Sequence, residues 1–298
     1  MRQADLSSGS AIVRTSVTNC ISIDVEGFVE ANLQSFRIDE SCIDKRRETY
    51  EIEKNMDAVF ELLARLDMRG TFFFLGRIAQ DVPRIVRTAG EAGHEIACHS
   101  YKHVRIFGTS RSEFAKDLSS AKGLLEDVSG QRVYGFRAPD FSITEKSIWA
   151  LDVLRELGFS YDSSIYPIGM HDVYGIEHVK PTIHRLPNGL IEFPLSTIGL
   201  FGTQLPFGGG GYFRLYPLPL TKFLIRRVNA RGQPCMVYIH PYEVGPILPN
   251  VPRLSHFRRF RHYFDCKNGY RRLKSLLGDF EFGPAVEILK RSGALEGW

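Results

Sequence analysis

The chain has 298 residues, of which 43% are hydrophobic, and its formal net charge at neutral pH is +4. That length and composition allow a large buried core in one domain, and the small net charge gives no indication of a nucleic-acid partner. No apolar run reaches the roughly 18 residues that a membrane span needs. We therefore predict a cytoplasmic protein without a transmembrane segment.

The amino-terminal residues 1–16 are polar and lack the apolar core of a signal peptide, and we expect them to form a flexible tail. The five cysteines form no CxxC pair, and their odd number argues against a disulfide framework.

Short apolar runs alternate with amphipathic helical patterns along the rest of the chain. Each run ends at a polar residue: residues 21–23 precede Asp24, 95–98 precede His99, 133–136 precede Arg137, 159–161 precede Asp162 and 236–239 precede His240. Apolar residues recur at helical spacing within 52–66, 78–89, 114–125, 148–157 and 220–228. This alternation predicts an α/β fold with a parallel sheet, in which functional residues gather at the carboxyl ends of the strands.

The polar residues at these strand ends are expected to share one pocket, because a buried arginine or aspartate is costly unless it is paired. His99 and His103 are four residues apart, a spacing that would place both imidazoles on one side of a helical turn, as in many metal sites. That spacing alone also fits surface or packing histidines, so it is the other strand-end residues that favour a metal site.

Two further segments leave alternatives open. Four glycines at 208–211 lack the Gly-Lys-Ser/Thr of a phosphate loop and favour a flexible loop, although the neighbouring Tyr212 and Arg214 could line a sugar subsite. The segment 257–277 is rich in arginine and lysine. It fits either a solvated helix face or a peripheral contact with an anionic substrate or membrane leaflet.

Ordered motifs from about Asn19 to Pro284 resemble those of the polysaccharide deacetylase family, also called the NodB-homology or carbohydrate esterase 4 family. The chain is most similar to the exosortase-associated branch, which carries a carboxy-terminal extension. The motifs lie at residues 70–76, 93–97, 135–139, 161–164, 186–189 and 238–243. The resemblance implies a distorted (β/α) barrel of about seven parallel strands ringed by helices. It also implies one domain over residues 17–298, with the extension at about 245–298.

The resemblance also implies one divalent ion, Zn²⁺, and a role for each matching residue. Asp24 would be the general base, Arg137 its partner and His240 the acid that protonates the leaving amine. The metal ligands would be Glu26, His99 and His103. The remaining expected site residues are Asp140, whose backbone N–H would stabilise the oxyanion; Asp162, which would orient His240 or a substrate hydroxyl; and Pro139, Phe141, Tyr212 and Arg214, which would contact the sugar.

The chain departs from the family pattern in two places, one after Asp24 and one after Pro139. Val25 separates the base from the ligand, where many members have adjacent aspartates, and Gly27 and Phe28 follow where the branch has an acidic and an aromatic residue. Asp140 adds a negative charge after Pro139, which would either select a cationic sugar or cap the next turn.

The predicted function is removal of an N-acetyl group from a nucleotide- or lipid-linked amino sugar during synthesis of a bacterial surface polysaccharide or lipopolysaccharide. The alternatives are an N-deformylase or another amide hydrolase with the same site, and a catalytically silent sugar-binding module.

Overall fold

The computed structural model describes residues 17–39, 41, 44–169, 175–176, 179–200, 202–251 and 254–295. The predicted tail at 1–16 and Cys42 lie outside the described residues. None of the described helices is both long and apolar enough to cross a bilayer.

A curled sheet forms the centre of the molecule. Its nine strands are β1 (Asn19–Val25), β2 (Thr71–Phe74), β3 (Glu95–Cys98), β4 (Gly135–Phe136), β5 (Tyr161–Asp162), β6 (His184–Arg185), β7 (Ile191–Glu192), β10 (Met236–Ile239) and β11 (Phe282–Gly283). The strands β8 (Thr197–Leu200) and β9 (Thr203–Pro206) form a separate hairpin. Seven strands run parallel in the order β10, β1, β2, β3, β4, β5, β7. At the edges, β6 pairs antiparallel with β7, and β11 pairs with the start of β1.

The helices surround this sheet. They are α1 (Phe28–Phe36), α2 (Lys45–Arg65), α3 (Gly76–Asp81), α4 (Pro83–Glu91), α5 (Arg111–Ser129), α6 (Ala150–Glu156), α7 (Gly210–Leu215), α8 (Leu218–Asn229), α9 (Pro241–Val244), α10 (His256–Tyr263), α11 (Gly269–Leu277) and α12 (Ala285–Arg291). Within the described residues no pairing joins β10 to β6, so the barrel is open. The predicted distorted (β/α) barrel is confirmed, with seven parallel strands in its continuous path and β11 as an eighth that pairs parallel with the start of β1.

Alternation along β1 divides the interior into two layers. Ile21, Ile23 and Val25 pack with the surrounding helices in the main core, whereas Cys20 packs on the other face of the sheet. Because successive side chains of a strand point to opposite faces, Asp24 shares the inner face with Cys20. The inner face is therefore the one that carries polar residues at the carboxyl ends of the strands.

Two local predictions are wrong. The helical pattern over 78–89 is divided into α3 and α4, because Pro83 begins a new helix and the preceding Val82 adopts φ −136° and ψ 57°. Of the four glycines at 208–211, the first three are buried rather than set in an open loop, and the last two begin α7. A Cβ atom at Gly209, whose φ is +154°, would lie 2.1 Å from the carbonyl oxygen of Tyr238 in β10.

A buried histidine gives the fold a testable pH dependence. His94 is 4% exposed, its ring lies 4.8 Å from that of Phe72, and its Nδ1 accepts the N–H of Gly70 at 3.3 Å. Burial, together with the charge of Arg69, lowers the pKa of His94 to about 4.

We expect the free energy of unfolding to fall as the pH drops from about 6.5 to about 4, because the unfolded chain then binds a proton that the folded His94 excludes. His94→Asn keeps an acceptor for Gly70 and should reduce this loss by up to about 3 kcal/mol. Urea unfolding of both proteins across that pH range measures the difference. An unchanged pH slope in the variant would contradict the assignment.

Candidate active site

Two carboxylates meet at the end of β1. Asp24 and Glu26 are two residues apart in extended chain, so their side chains lie on the same face of the sheet. Both are buried, with exposed fractions of 2% and 4%. The intervening Val25 points into the main core, which is why the two acidic residues need not be adjacent in sequence to act in one site.

The predicted metal ligands converge. Glu26 Oε2 lies 3.2 Å from His99 Nε2 and 3.0 Å from His103 Nε2, and the three donor atoms lie within 4.8 Å of one another. With ligand bonds of about 2.0–2.2 Å, the donors of a tetrahedral zinc site are separated by roughly 3.4 Å. One carboxylate and two imidazoles at this spacing fit a divalent cation.

The orientation of the His99 ring is fixed by a hydrogen bond at Nδ1, the nitrogen that points away from Glu26. Its Nδ1 lies 2.7 Å from the backbone carbonyl oxygen of Arg137, to which it donates a hydrogen bond. Nδ1 therefore carries a proton, and Nε2 is the ring nitrogen that faces Glu26. This is the arrangement that protein metal sites use to orient a histidine ligand.

The segment between the two histidines is a loop, so the expected helical turn is wrong. Ser100 adopts φ +70°, and the N–H of Tyr101 donates to Asp117 of α5 at 2.8 Å. The backbone carbonyls of Ser100 and Tyr101 accept hydrogen bonds from the first residues of α3. His103 is therefore placed beside His99 by the contacts of this loop with α3 and α5, and not by helical periodicity.

Arg137 connects the parts of the site. It is fully buried, and its Nη1 donates to Asp24 Oδ1 at 2.6 Å and to Ser22 Oγ at 2.8 Å. Its other donors reach the carbonyl and hydroxyl of Ser163, and its guanidinium lies 4.1 Å from the ring centroid of Phe73. The predicted pair of Asp24 and Arg137 is present, and the guanidinium both orients that carboxylate and compensates its charge.

His240 is oriented by Glu243, a residue that the sequence analysis missed. His240 Nδ1 lies 3.0 Å from Glu243 Oε2, and its Nε2 lies 3.3 Å from Glu26 Oε1. Burial disfavours the imidazolium, but the carboxylates of Glu243 and Glu26 outweigh burial and raise the pKa of His240 to about 9. The signal available in the sequence was the capping spacing of His240 and Glu243 around Pro241 at the start of α9.

Arg214 lines the cavity, and its guanidinium supports this carboxylate. Its Nε donates to Glu243 Oε1 at 2.6 Å, and its Nη1 donates to the backbone carbonyls of residues 261, 262 and 264. Burial alone would raise the pKa of Glu243, but the charges of His240 and Arg214 lower it to about 2. Glu243 is therefore ionised throughout the physiological range.

Asp162 does not orient His240, contrary to the prediction. It is fully buried at the end of β5, and its carboxylate accepts hydrogen bonds from the hydroxyl and N–H of Ser164 at 2.5 and 3.2 Å. Burial raises the pKa of Asp162 to about 6, although the hydrogen bonds from Glu192 and Ser164 lower it. The side chain of Asp162 therefore stabilises the loop after β5 and does not line the pocket.

Asp140 is paired with Arg105. The Nε of Arg105 donates to Asp140 Oδ2 at 2.6 Å, so the carboxylate is compensated by a cation and does not cap the next turn. Asp140 and Phe141 have φ of +52° and +51°, a backbone strain that costs about 1–3 kcal/mol per residue and is typical of functional sites.

A cavity of about 450 Å³ opens over these groups. Asp24, Glu26, His99, His103, Asp140 and His240 line it. Of the predicted sugar contacts, Phe141, Tyr212 and Arg214 line the cavity, whereas Pro139 is buried and is not among its lining residues.

Two family profiles match consecutive parts of the chain. The polysaccharide deacetylase profile matches residues 44–161, and the domain of unknown function DUF3473 matches residues 163–290. Together they form the signature of the exosortase-associated deacetylases. The chain belongs to the polysaccharide deacetylase family.

The site draws on both matched regions. His99 and Arg137 lie in the first, His240 and Glu243 lie in the second, and β1 with Asp24 precedes both. Because β10 pairs directly with β1, the second region completes the site through the same sheet.

Curated relatives resemble the chain at low identity. It is 26% identical over 171 residues to the peptidoglycan-N-acetylglucosamine deacetylase of Bacillus cereus, a match that covers 53% of this chain and 60% of that relative's length. It is 22% identical over 238 residues to the peptidoglycan deacetylase of Helicobacter pylori, covering 75% of this chain and 73% of that protein. A crystal structure of a Mycobacterium smegmatis protein classed with the polysaccharide deacetylases superposes with a TM-score of 0.64 at 20% identity, over 94% and 91% of the two chains. At this identity the structural likeness shows the shared fold alone.

The departure at Gly27 has a structural reason. Glu48 of α2 accepts the N–H groups of Val29 and Glu30 at 3.0 and 3.1 Å, and thereby caps the start of α1 directly after Glu26. A Cβ atom at Gly27 would lie 2.2 Å from Glu48 Cδ. A side chain at position 27 would therefore displace the capping carboxylate of Glu48.

Proposed function

We propose that this protein is a metal-dependent N-deacetylase that hydrolyses the N-acetyl group of an amino sugar during synthesis of a bacterial cell-surface polysaccharide or lipopolysaccharide. The observation that carries the proposal is the convergence of three groups of residues in one pocket. A possible metal-ligand set, a carboxylate paired with an arginine, and a histidine paired with a carboxylate all face the same cavity.

The ligand set would be Glu26, His99 and His103, and the cation we propose is Zn²⁺. When bound, a divalent ion supplies positive charge that polarises the amide carbonyl and makes water more acidic. Membership of a family whose deacetylases are metal-dependent supports this assignment.

The remaining residues would handle protons and position the substrate. Asp24, oriented by Arg137, accepts the proton of the attacking water. His240, held protonated by Glu243, donates a proton to the nitrogen of the departing amine. The backbone N–H of Asp140 would donate to the developing oxyanion, and the rings of Phe141 and Tyr212 would flank the sugar. The cytoplasmic location stays a prediction from the sequence.

The direct test is release of the acyl group together with metal analysis. We expect metal-replete protein to release acetate, not formate, from an acylated amino sugar in a panel of nucleotide- and lipid-linked sugars, with the deacylated product identified by mass. His103→Ala should reduce the bound divalent ion from about one per chain to near zero, because only two ligands remain.

A matched variant controls this test. His184 of β6 is half-buried outside the cavity, and His184→Ala should retain both the ion and the activity. Release of formate would favour the N-deformylase, whereas sugar binding without any turnover would favour a silent binding module. Stoichiometric metal in folded His103→Ala would contradict the ligand assignment.

A further inference from the structure

The helix α10 is amphipathic, but its aromatic side faces away from the protein. Phe257, Phe260 and Phe264 follow at spacings of three and four, which places them on one side of the helix. Their exposed fractions are 74%, 54% and 38%, and no residue of α10 is buried. Phe260 and Phe264 also contact each other, with ring centroids 5.0 Å apart. With Arg261, which falls on the same side, these residues form a surface that we call the α10 aromatic face.

The opposite side of α10 attaches it to the protein. Arg258 donates to the carbonyl of Phe36 at 3.1 Å, and the His262 ring lies 4.9 Å from the Phe36 ring. The Tyr263 hydroxyl accepts the N–H of Val251 at 3.1 Å. Polar side chains therefore face inward, and the phenylalanines face outward because the helix is held in that orientation.

The charge around the α10 aromatic face is positive. Arg261 is exposed on this face, and Arg259 is exposed on the side of Tyr263, whose ring centroid lies 5.6 Å from its guanidinium. The helix α10 contains no acidic residue. Lys267, Arg271 and Lys274 continue the exposed basic segment. Arg272 does not contribute, because it donates to the backbone carbonyls of residues 213 and 216. Aromatic residues combined with arginines are typical of helices that lie in the interface of an anionic membrane.

The α10 aromatic face adjoins the opening of the active site. Phe257, Phe260 and Arg261 line the cavity that contains Asp24 and His240. Leu215, at the end of α7, is 41% exposed and lines the same cavity. A surface bound to α10 would therefore meet the mouth of the pocket.

We propose that the α10 aromatic face binds the anionic surface of a lipid bilayer and presents the pocket to an N-acylated sugar carried by a membrane lipid. The choice of sugar rests on the proposed function, whereas the membrane contact does not. A neutral sugar chain would leave the arginines without partners, and a second copy of the chain would place arginine against arginine. An anionic headgroup layer accommodates both the rings and the charges.

The test is co-sedimentation of the full chain with phosphatidylcholine vesicles, with and without about 30% phosphatidylglycerol, in roughly 0.15 M salt. We expect binding to the anionic vesicles and much weaker binding to the neutral ones. Phe257→Ser combined with Phe260→Ser should reduce the partition coefficient at least about tenfold, because the apolar contact is lost. Arg259→Gln combined with Arg261→Gln should reduce it by a similar factor on anionic vesicles only.

Phe223 provides a matched control, because it is 53% exposed on α8 and does not line the cavity. Phe223→Ser should bind vesicles like the unmodified protein. Thermal unfolding checks that each variant is folded, and the exposed arginine pair tests the proposal if the phenylalanine pair does not fold. Absence of vesicle binding, or equal losses in the α10 and Phe223 variants, would overturn the proposal.

A loss of N-acetylated oligosaccharide binding in the phenylalanine pair, with vesicle binding unchanged, would assign the face to sugar chains instead and overturn the proposal. A concentration-dependent dimer that the phenylalanine pair abolishes, again with vesicle binding unchanged, would also overturn it. Vesicle binding is measured without sugar, so failure of the deacetylase assignment is recorded separately by acetate release.

Discussion

Asp24→Asn is expected to lower kcat on the order of a hundredfold or more, while the protein keeps its divalent ion. The amide oxygen of asparagine can still accept the hydrogen bond that Arg137 donates at 2.6 Å, so the side chain keeps its position. The amide cannot accept the proton of an attacking water. Steady-state deacetylation with metal analysis of the same sample measures both effects.

Asp162→Asn is the matched control for this substitution. Asp162 is also a fully buried aspartate at a strand end, but its hydrogen bonds go to Ser164 and it does not line the cavity. We expect less than a tenfold change in its kcat. Because the buried guanidinium of Arg137 loses its anionic partner in Asp24→Asn, urea unfolding must show that this variant is folded under assay conditions. Loss of the metal in folded Asp24→Asn would instead make Asp24 a ligand.

The sequence was sufficient to place the central strands and the residues at their ends. Each apolar run determines a strand locally, and all parallel strands present their carboxyl ends at one edge of the sheet. Asp24, His99, Arg137 and His240 were predicted to meet there, and the structure brings them together. Asp162 also ends a strand, but its carboxylate faces Ser164 instead of the pocket.

The remaining features depend on contacts between distant parts of the chain. The loop from His99 to His103 is shaped by Asp117 and α3, not by its own helical spacing. Arg214 lines the cavity, but a single sequence does not reveal that its guanidinium pairs with Glu243. The outward orientation of α10 is also a tertiary effect, since a helical pattern of phenylalanines ordinarily predicts a buried face.

His240→Gln is expected to lower turnover of an amide substrate by roughly two orders of magnitude, and that of an activated ester much less. An amine leaves only when its nitrogen is protonated, whereas a good alkoxide leaving group needs no proton. Glutamine preserves much of the shape of histidine and leaves Glu26, His99 and His103 in place, so metal content should not change. Parallel assays with an N-acetyl sugar and an activated acetate ester measure the two rates.

Glu243→Gln tests whether His240 supplies this proton, through the pH dependence of kcat. The negative charge of Glu243 raises the pKa of His240, so the imidazolium persists to higher pH than an ordinary histidine. Neutralising Glu243 lowers that pKa, and the alkaline limb of the kcat profile should therefore move to lower pH, while the acid limb stays in place. An unmoved alkaline limb, together with equal losses on amide and ester in His240→Gln, would show that His240 positions the substrate or supports the oxyanion. A shifted limb with a loss confined to the amide requires that His240 carries the proton, since positioning alone depends on neither the leaving group nor the charge of Glu243.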